Sequence, residues 1–153
     1  MPRTSKAQRE HNRAQEFRDK LEQLLAEVPY RYLGGWFIDW AESELRRNRF
    51  YRYSEKEYAV LDRQLLRLRP ITGFGDYTVD ELIDIVAKYR ADCSEDDEDL
   101  VGELIRERPS GLPLWLVFRL VSICRHVACV PIPYIEDLEL AVSEAGSGEA
   151  ALP

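Results

Sequence analysis

The sequence predicts an all-α fold: a compact bundle of six to seven helices around a central apolar helix at about residues 112–130. Three observations predict it. Apolar residues recur at steps of three and four along most of the 153 residues, and no convincing alternating strand is found. Two pairs, Ser54/Glu57 and Thr78/Glu81, have the spacing of a capping box, in which the hydroxyl takes the amide three residues on and the glutamate reaches back. The stretch Leu112 to Val130 is apolar nearly all round, as expected of a helix that others surround.

Taken in order, Phe17, Leu21, Leu24, Leu25 and Val28 mark a first helix, ended by Pro29. Its polar approach, residues 1–15, is expected to be mobile and to project. Trp36, Phe37, Trp40, Ala41 and Leu45 line a second helix that follows Gly34-Gly35. Ser54 starts the third, carrying Tyr58, Leu61, Leu65 and Leu68 up to Pro70. The run PITGFGDY reads as a loop. Thr78 then caps a helix with Leu82, Ile83 and Val86, and Ser94 caps one with Leu100, Val101, Leu104 and Ile105. Leu112 or Pro113 opens the apolar helix, Pro131 and Pro133 close it, and a short helix is expected over about 134–143. Residues 16–144 are thus read as one helical domain, followed by a small-residue, disordered tail at 145–153.

Composition excludes several classes. Arg119, Arg125 and His126 interrupt the apolar stretch and are costly at bilayer depth, so it reads as a buried helix and no membrane partner is expected. The polar N-terminus lacks the apolar segment of a signal peptide. Cys93, Cys124 and Cys129 form no CxxC pair, which fits reduced thiols and a cytoplasmic location. Cys124, His126 and Cys129 lack zinc-ligand spacing, so no metal or cofactor is expected. In DCSEDDEDLVGE, Asp92, Ser94, Asp96 and Glu103 stand where a calcium loop has ligands. Asp97, however, occupies the obligatory glycine position and Asp99 the apolar one. Gly73-Phe74-Gly75 lacks the further residues of a phosphate cradle. Asp80 and Asp84, one helical turn apart, are the spacing that any solvated helix face produces. No nucleophile lies in a recognisable motif with His11 or His126, so the chain reads as non-enzymatic, with no catalytic residues.

Charge is unevenly divided. The net is −7, yet residues 1–69 hold 15 Lys/Arg and 11 Asp/Glu, while residues 70–153 hold 6 and 17. The segment RRNRFYRYSEK, residues 46–56, places Arg46, Arg47, Arg49, Arg52 and Lys56 among Phe50, Tyr51 and Tyr53. Helical spacing adds Arg63 and Arg67 to the Lys56 face. Cations interleaved with aromatics suit nucleic acid, arginines meeting phosphates and rings meeting bases. Arg46 and Arg47 also end a helix, where cations complement the dipole without any partner. A second surface is acidic: Glu95, Asp96, Asp97, Asp99 and Glu103, which either favour a helix N-terminus or imitate nucleic-acid phosphates towards a basic protein. On the apolar helix, Arg119, Ser122 and His126 form one narrow polar stripe, expected to meet water or a neighbouring carboxylate.

Trp40, Leu45, Arg46, Arg47, Ser54, Lys56, Val60 and Leu61 together resemble a module of about thirty residues in small phage- and plasmid-associated bacterial proteins. In that module a tryptophan-led helix and a basic turn precede Leu-Ser-x-Lys-Gln and an apolar pair. Here Tyr53 replaces the leucine and Glu57 the glutamine. The resemblance implies a mobile-element setting. The expectation drawn from the charge and aromatic pattern is a binding protein whose basic–aromatic hairpin, residues 46–69, engages nucleic acid or a complex that handles it. The alternative is an acidic regulator or inhibitor that blocks a basic nucleic-acid-binding surface. Exposed aromatics near residues 30–37 would favour a homodimer.

Overall fold

The computed structural model describes residues 5–133 and 141–144. Helices hold most of them, as expected, but the contacts divide the chain into two compact units, residues 1–68 and 69–153, within the stretch that the sequence presents as one helical domain.

The first unit is four helices: α1 (Lys6–Glu27), α2 (Tyr30–Leu33), α3 (Gly35–Leu45) and α4 (Glu55–Arg67). Residues 6–15, expected to project, are the first turns of α1. Ser5 Oγ caps them by accepting the Gln8 N–H at 3.1 Å, Ala14 is buried, and Arg13 pairs with Glu55. Gly34 sits at φ +87°, a left-handed conformation that lets α2 stop and α3 start within two residues. The capping box of α4 forms as expected: the Glu57 N–H donates to Ser54 Oγ at 3.1 Å and the Ser54 N–H to Glu57 Oε1 at 2.9 Å. Phe17, Leu21, Leu33, Phe37, Ala41, Tyr53 and Leu61 are buried.

The second unit departs from the helical expectation. The loop expected at PITGFGDY is a strand, β1 (Pro70–Phe74), which turns back into β2 (Tyr77–Thr78). After α5 (Val79–Lys88), a 3-10 turn (Arg90–Asp92) and α6 (Glu95–Glu107) come β3 (Leu112–Pro113), α7 (Leu114–His126) and β4 (Val142–Glu144). β1 pairs antiparallel with each of the other three strands, in the registers Gly73↔Thr78, Ile71↔Leu112 and Gly73↔Ser143. Of the helix expected over 134–143, residues 134–140 lie outside the described residues, and Val142 and Ser143 belong to β4.

The apolar helix is shorter than expected, because β3 takes its first two residues and Cys129, at φ +55°, follows its end ahead of the prolines. Arg125 then donates to the carbonyls of Ile132 and Pro133 at 2.8 and 2.7 Å, fastening the chain beyond α7. Leu116, Val117, Leu120 and Cys124 of α7 are buried in this unit together with Ile71, Leu82, Ile83 and Val86. Burial pushes the Cys124 thiol up to about 11, so it packs as a neutral group. Among the described residues no helix is long and apolar enough to cross a membrane.

Two polar pairings of this unit account for residues singled out in the sequence. Arg108, at φ +46° where α6 ends, places its Nη1 3.2 Å from Asp80 and 2.6 Å from Asp84, so both carboxylates share one guanidinium. Arg119 of the polar stripe meets Asp97 at 2.7 Å through both Nε and Nη2, while Ser122 and His126 stay exposed.

Candidate nucleic-acid interface

Between α3 and α4 the chain makes a nine-residue connection, Arg46 to Ser54, folded against α1. Its inner side is held by aromatic packing. The Tyr53 ring stacks on Phe17 at 4.0 Å, and Tyr58 and Trp40 meet Phe17 edge-on at 5.4 and 6.1 Å. The Tyr53 hydroxyl donates to the Glu44 carbonyl at 3.0 Å and the Tyr51 hydroxyl to Glu57 Oε1 at 2.9 Å. From α1, Arg18 Nη2 donates to the carbonyls of Arg47 and Asn48 at 3.2 and 2.7 Å. Asn48 turns the chain, its Oδ1 accepting the Phe50 N–H at 2.9 Å and its carbonyl the Tyr51 N–H at 2.8 Å.

The nine basic and aromatic residues expected to form the site therefore separate. Tyr53 is buried and has no ring face to offer a base. Arg67 is half-buried: its guanidinium bonds the Leu33 carbonyl and, at 2.8 Å, Gln64 Oε1. Burial lowers its pKa, and its work is to hold the end of α2. Tyr51 is half-buried, with Arg47 4.4 Å above its ring, and Arg47 also meets Glu44 at 3.6 Å. Arg46 is exposed beside Glu42 at 3.7 Å. Arg52 pairs with Glu10 of α1 at 3.1 Å. Arg49, Lys56 and Arg63 are exposed with no carboxylate partner among the described residues.

What the fold adds is a cleft of about 270 Å³, walled by the start of α1, the connection and the first turn of α4. Its lining includes His11, Arg13, Arg49, Phe50, Arg52 and Tyr58. Arg13 lies 3.7 Å above the Tyr58 ring while paired to Glu55 at 2.7 Å, a contact that holds the Glu55 carboxyl below its ordinary range. Phe50 is 73% exposed, with the Arg49 guanidinium 4.7 Å from its ring. Phe50, which lies in the basic run but is not one of the nine, and Arg13 are what the fold adds to them. Phe50 had a signal in its place within the basic run; Arg13 comes in only by folding.

Beneath the connection lies a pair of carboxyl groups, Glu44 and Glu57. Glu44 is 4% exposed. Burial first, then the hydrogen bond and negative charge of Glu57, raise its pKa to about 7 against the pull of Arg47. Burial also opposes ionisation of Glu57, but hydrogen bonds from Glu44, the Ser54 amide and the Tyr51 hydroxyl outweigh it and hold that carboxyl at about 2.

No protein-family model, curated protein or solved structure matches the chain. Among the described residues no group of three or more His, Cys, Asp or Glu is placed to hold a metal ion.

The acidic residues lie in the second unit. Glu95, Asp96 and Asp97 are in the first turn of α6, where Ser94 Oγ accepts the Asp97 N–H at 3.3 Å. Glu95, Asp96 and Asp99 are exposed and Glu103 is half-buried, whereas Asp97 is engaged by Arg119. Beside them a cleft is lined by Leu100, Trp115 and Phe118.

Proposed function

We propose that the chain is a non-catalytic binding protein that holds single-stranded nucleic acid on the basic–aromatic surface formed by residues 46–63. The observation that carries this reading is Arg49 beside the exposed ring of Phe50 at the edge of the cleft. A cation without a carboxylate partner and a largely exposed aromatic ring are the two elements that a flexible strand needs, one for phosphate and one for a base. Lys56 and Arg63, seven residues apart on α4, extend the unpaired charge along one side of that helix. A cleft of this size has room for one flat group and falls below the range of about 300–1,000 Å³ typical of cofactor pockets. The resemblance to a module of phage- and plasmid-associated proteins implies a mobile-element setting and supplies no activity.

Fluorescence anisotropy with labelled single-stranded DNA and RNA tests the reading. Binding is expected to weaken linearly in log affinity with log salt. The combined change Arg49→Ala, Lys56→Ala and Arg63→Ala is expected to reduce the slope by about two, at about 0.7 per lost phosphate contact. Phe50→Ala is expected to cost ~1–3 kcal/mol of affinity while leaving the slope in place. No binding at low salt, or binding indifferent to salt, overturns the proposal.

A second reading rests on the acidic end of α6, where Glu95, Asp96 and Asp99 are exposed and Asp96 lines a cleft with the partly exposed Phe118. Here the second unit docks on a basic nucleic-acid-binding protein. Glu95→Lys, Asp96→Lys and Asp99→Lys together are then expected to abolish that association and to leave oligonucleotide binding unchanged; retained association rejects it. Asp97 is left out of this set because reversing it would also break the Arg119 pair.

A further inference from the structure

We propose that Glu44 and Glu57 share a single proton that latches the 46–54 connection, and that the connection loosens as this proton is lost towards neutral pH. The inference does not depend on what the connection binds.

The geometry asks for that proton. Glu44 Oε2 and Glu57 Oε2 are both buried and neither has a hydrogen-bond donor. The two carboxyl groups nevertheless face each other closely enough to hydrogen-bond. Two carboxylates are acceptors only, so the contact exists only with a proton between them, and that one proton supplies the donor both oxygens lack. Without it, two like charges sit in a space where water cannot screen them.

The pair is placed to act on the connection because its remaining bonds all lead there. Glu57 Oε1 takes the Tyr51 hydroxyl and the Ser54 amide, and the Glu44 carbonyl takes the Tyr53 hydroxyl. The charged and titratable groups facing the pair are few. Arg47, from the start of the connection, lies 3.6 Å from Glu44 Oε1. Arg18 of α1 reaches the same turn through the Arg47 and Asn48 carbonyls. Tyr51 and Tyr53 are both shifted further above their ordinary values, so they stay neutral throughout. Arg47 offsets part of the repulsion and does not replace the missing donor.

The sign follows from the shifts. A carboxyl raised to about 7 from its ordinary 4.5 contributes stability that is complete below 4.5 and is lost as pH rises through 7. Glu57, held near 2, contributes stability that is complete above 4.5 and disappears only as pH falls towards 2. Of the two carboxyls, Glu44 is the one that sets the trend between pH 5 and 7.

Amide hydrogen exchange of residues 50–54 at pH 5, 6, 7 and 8, corrected for intrinsic chemistry, tests this on the full chain. Protection is expected to fall more than tenfold between pH 5 and 7 and to level off above. Glu44→Gln, whose amide donates to Glu57 at every pH, is expected to hold protection nearly constant over that range. Wild-type protection that is flat, or a Glu44→Gln variant that keeps the wild-type slope, overturns the proposal. Should the variant not fold, carboxyl 13C NMR titration of the wild type decides: Glu44 titrating near neutrality, far above Glu57, supports the shared proton. Two carboxyls titrating together in the ordinary range overturn it.

Discussion

Phe17→Ala is expected to unfold the first unit. The ring is 1% exposed and touches Tyr53, Tyr58 and Trp40, so it joins α1 to α3, α4 and the connection between them. Truncating a buried phenylalanine costs ~3–5 kcal/mol, part transfer and part cavity. A core belonging to fewer than about 70–80 residues rarely supplies more than that in total. Trp36 and Trp40 report on this unit, and Trp115 on the other. The expected outcome is loss of amide protection across α1, α3 and α4 while α5 and α7 keep theirs. Phe17→Leu fills most of the space and is expected to cost less than half as much. A loss below ~1 kcal/mol for Phe17→Ala would remove this ring from the centre of the packing.

In the second unit the largest effect is expected from Gly73→Ala. A Cβ there would lie 2.7 Å from the Tyr77 carbonyl oxygen and 3.5 Å from Thr78 Cα, both backbone atoms of the strand paired with it. Neither can turn aside as a side chain would. Forcing an extra methyl into a packed site costs ~1–3 kcal/mol, and this strand is paired again through Gly73↔Ser143, so relief by bending β1 disturbs that pairing too. Chemical denaturation is expected to give ~2–3 kcal/mol of destabilisation. Gly35→Ala is the control: nothing lies within 4 Å of its added methyl, and as the first residue of α3 it is expected to be neutral or to stabilise by up to ~1 kcal/mol. Equal losses at the two glycines would show that the clash at Tyr77 is not the cause.

The helices and their caps were legible because their signals are local. Ser54/Glu57 and Thr78/Glu81 close over three residues, and the structure forms both boxes. The sheet was not, because β1 finds its partners at Leu112–Pro113 and Val142–Glu144, separations at which periodicity says nothing. Only the β1–β2 hairpin left a trace: Gly75-Asp76 between Ile71–Phe74 and Tyr77-Thr78 is a two-residue turn of the kind that favours strands, and Gly75 adopts φ +58°. At the candidate site, sequence located the cations and misplaced some of their work. Tyr53 and Arg67 look like surface groups within a basic run, yet one stacks on Phe17 and the other ties the Leu33 carbonyl. Glu44 gave no sign at all, since a carboxylate one residue from a helix end reads as solvated until the connection folds over it.

The order of the strands also bears on synthesis. Every contact that builds the Phe17 core and its cleft lies within the first 68 residues, whereas the sheet waits for Val142–Glu144. At ~5–20 residues per second of translation, the interval separating the two is ~4–15 s. On the ribosome, the cleft and its cations can form and meet a ligand while β1 still lacks the strand that covers its edge. Through that interval β1 is the part of the nascent chain that most needs shielding from other open strands.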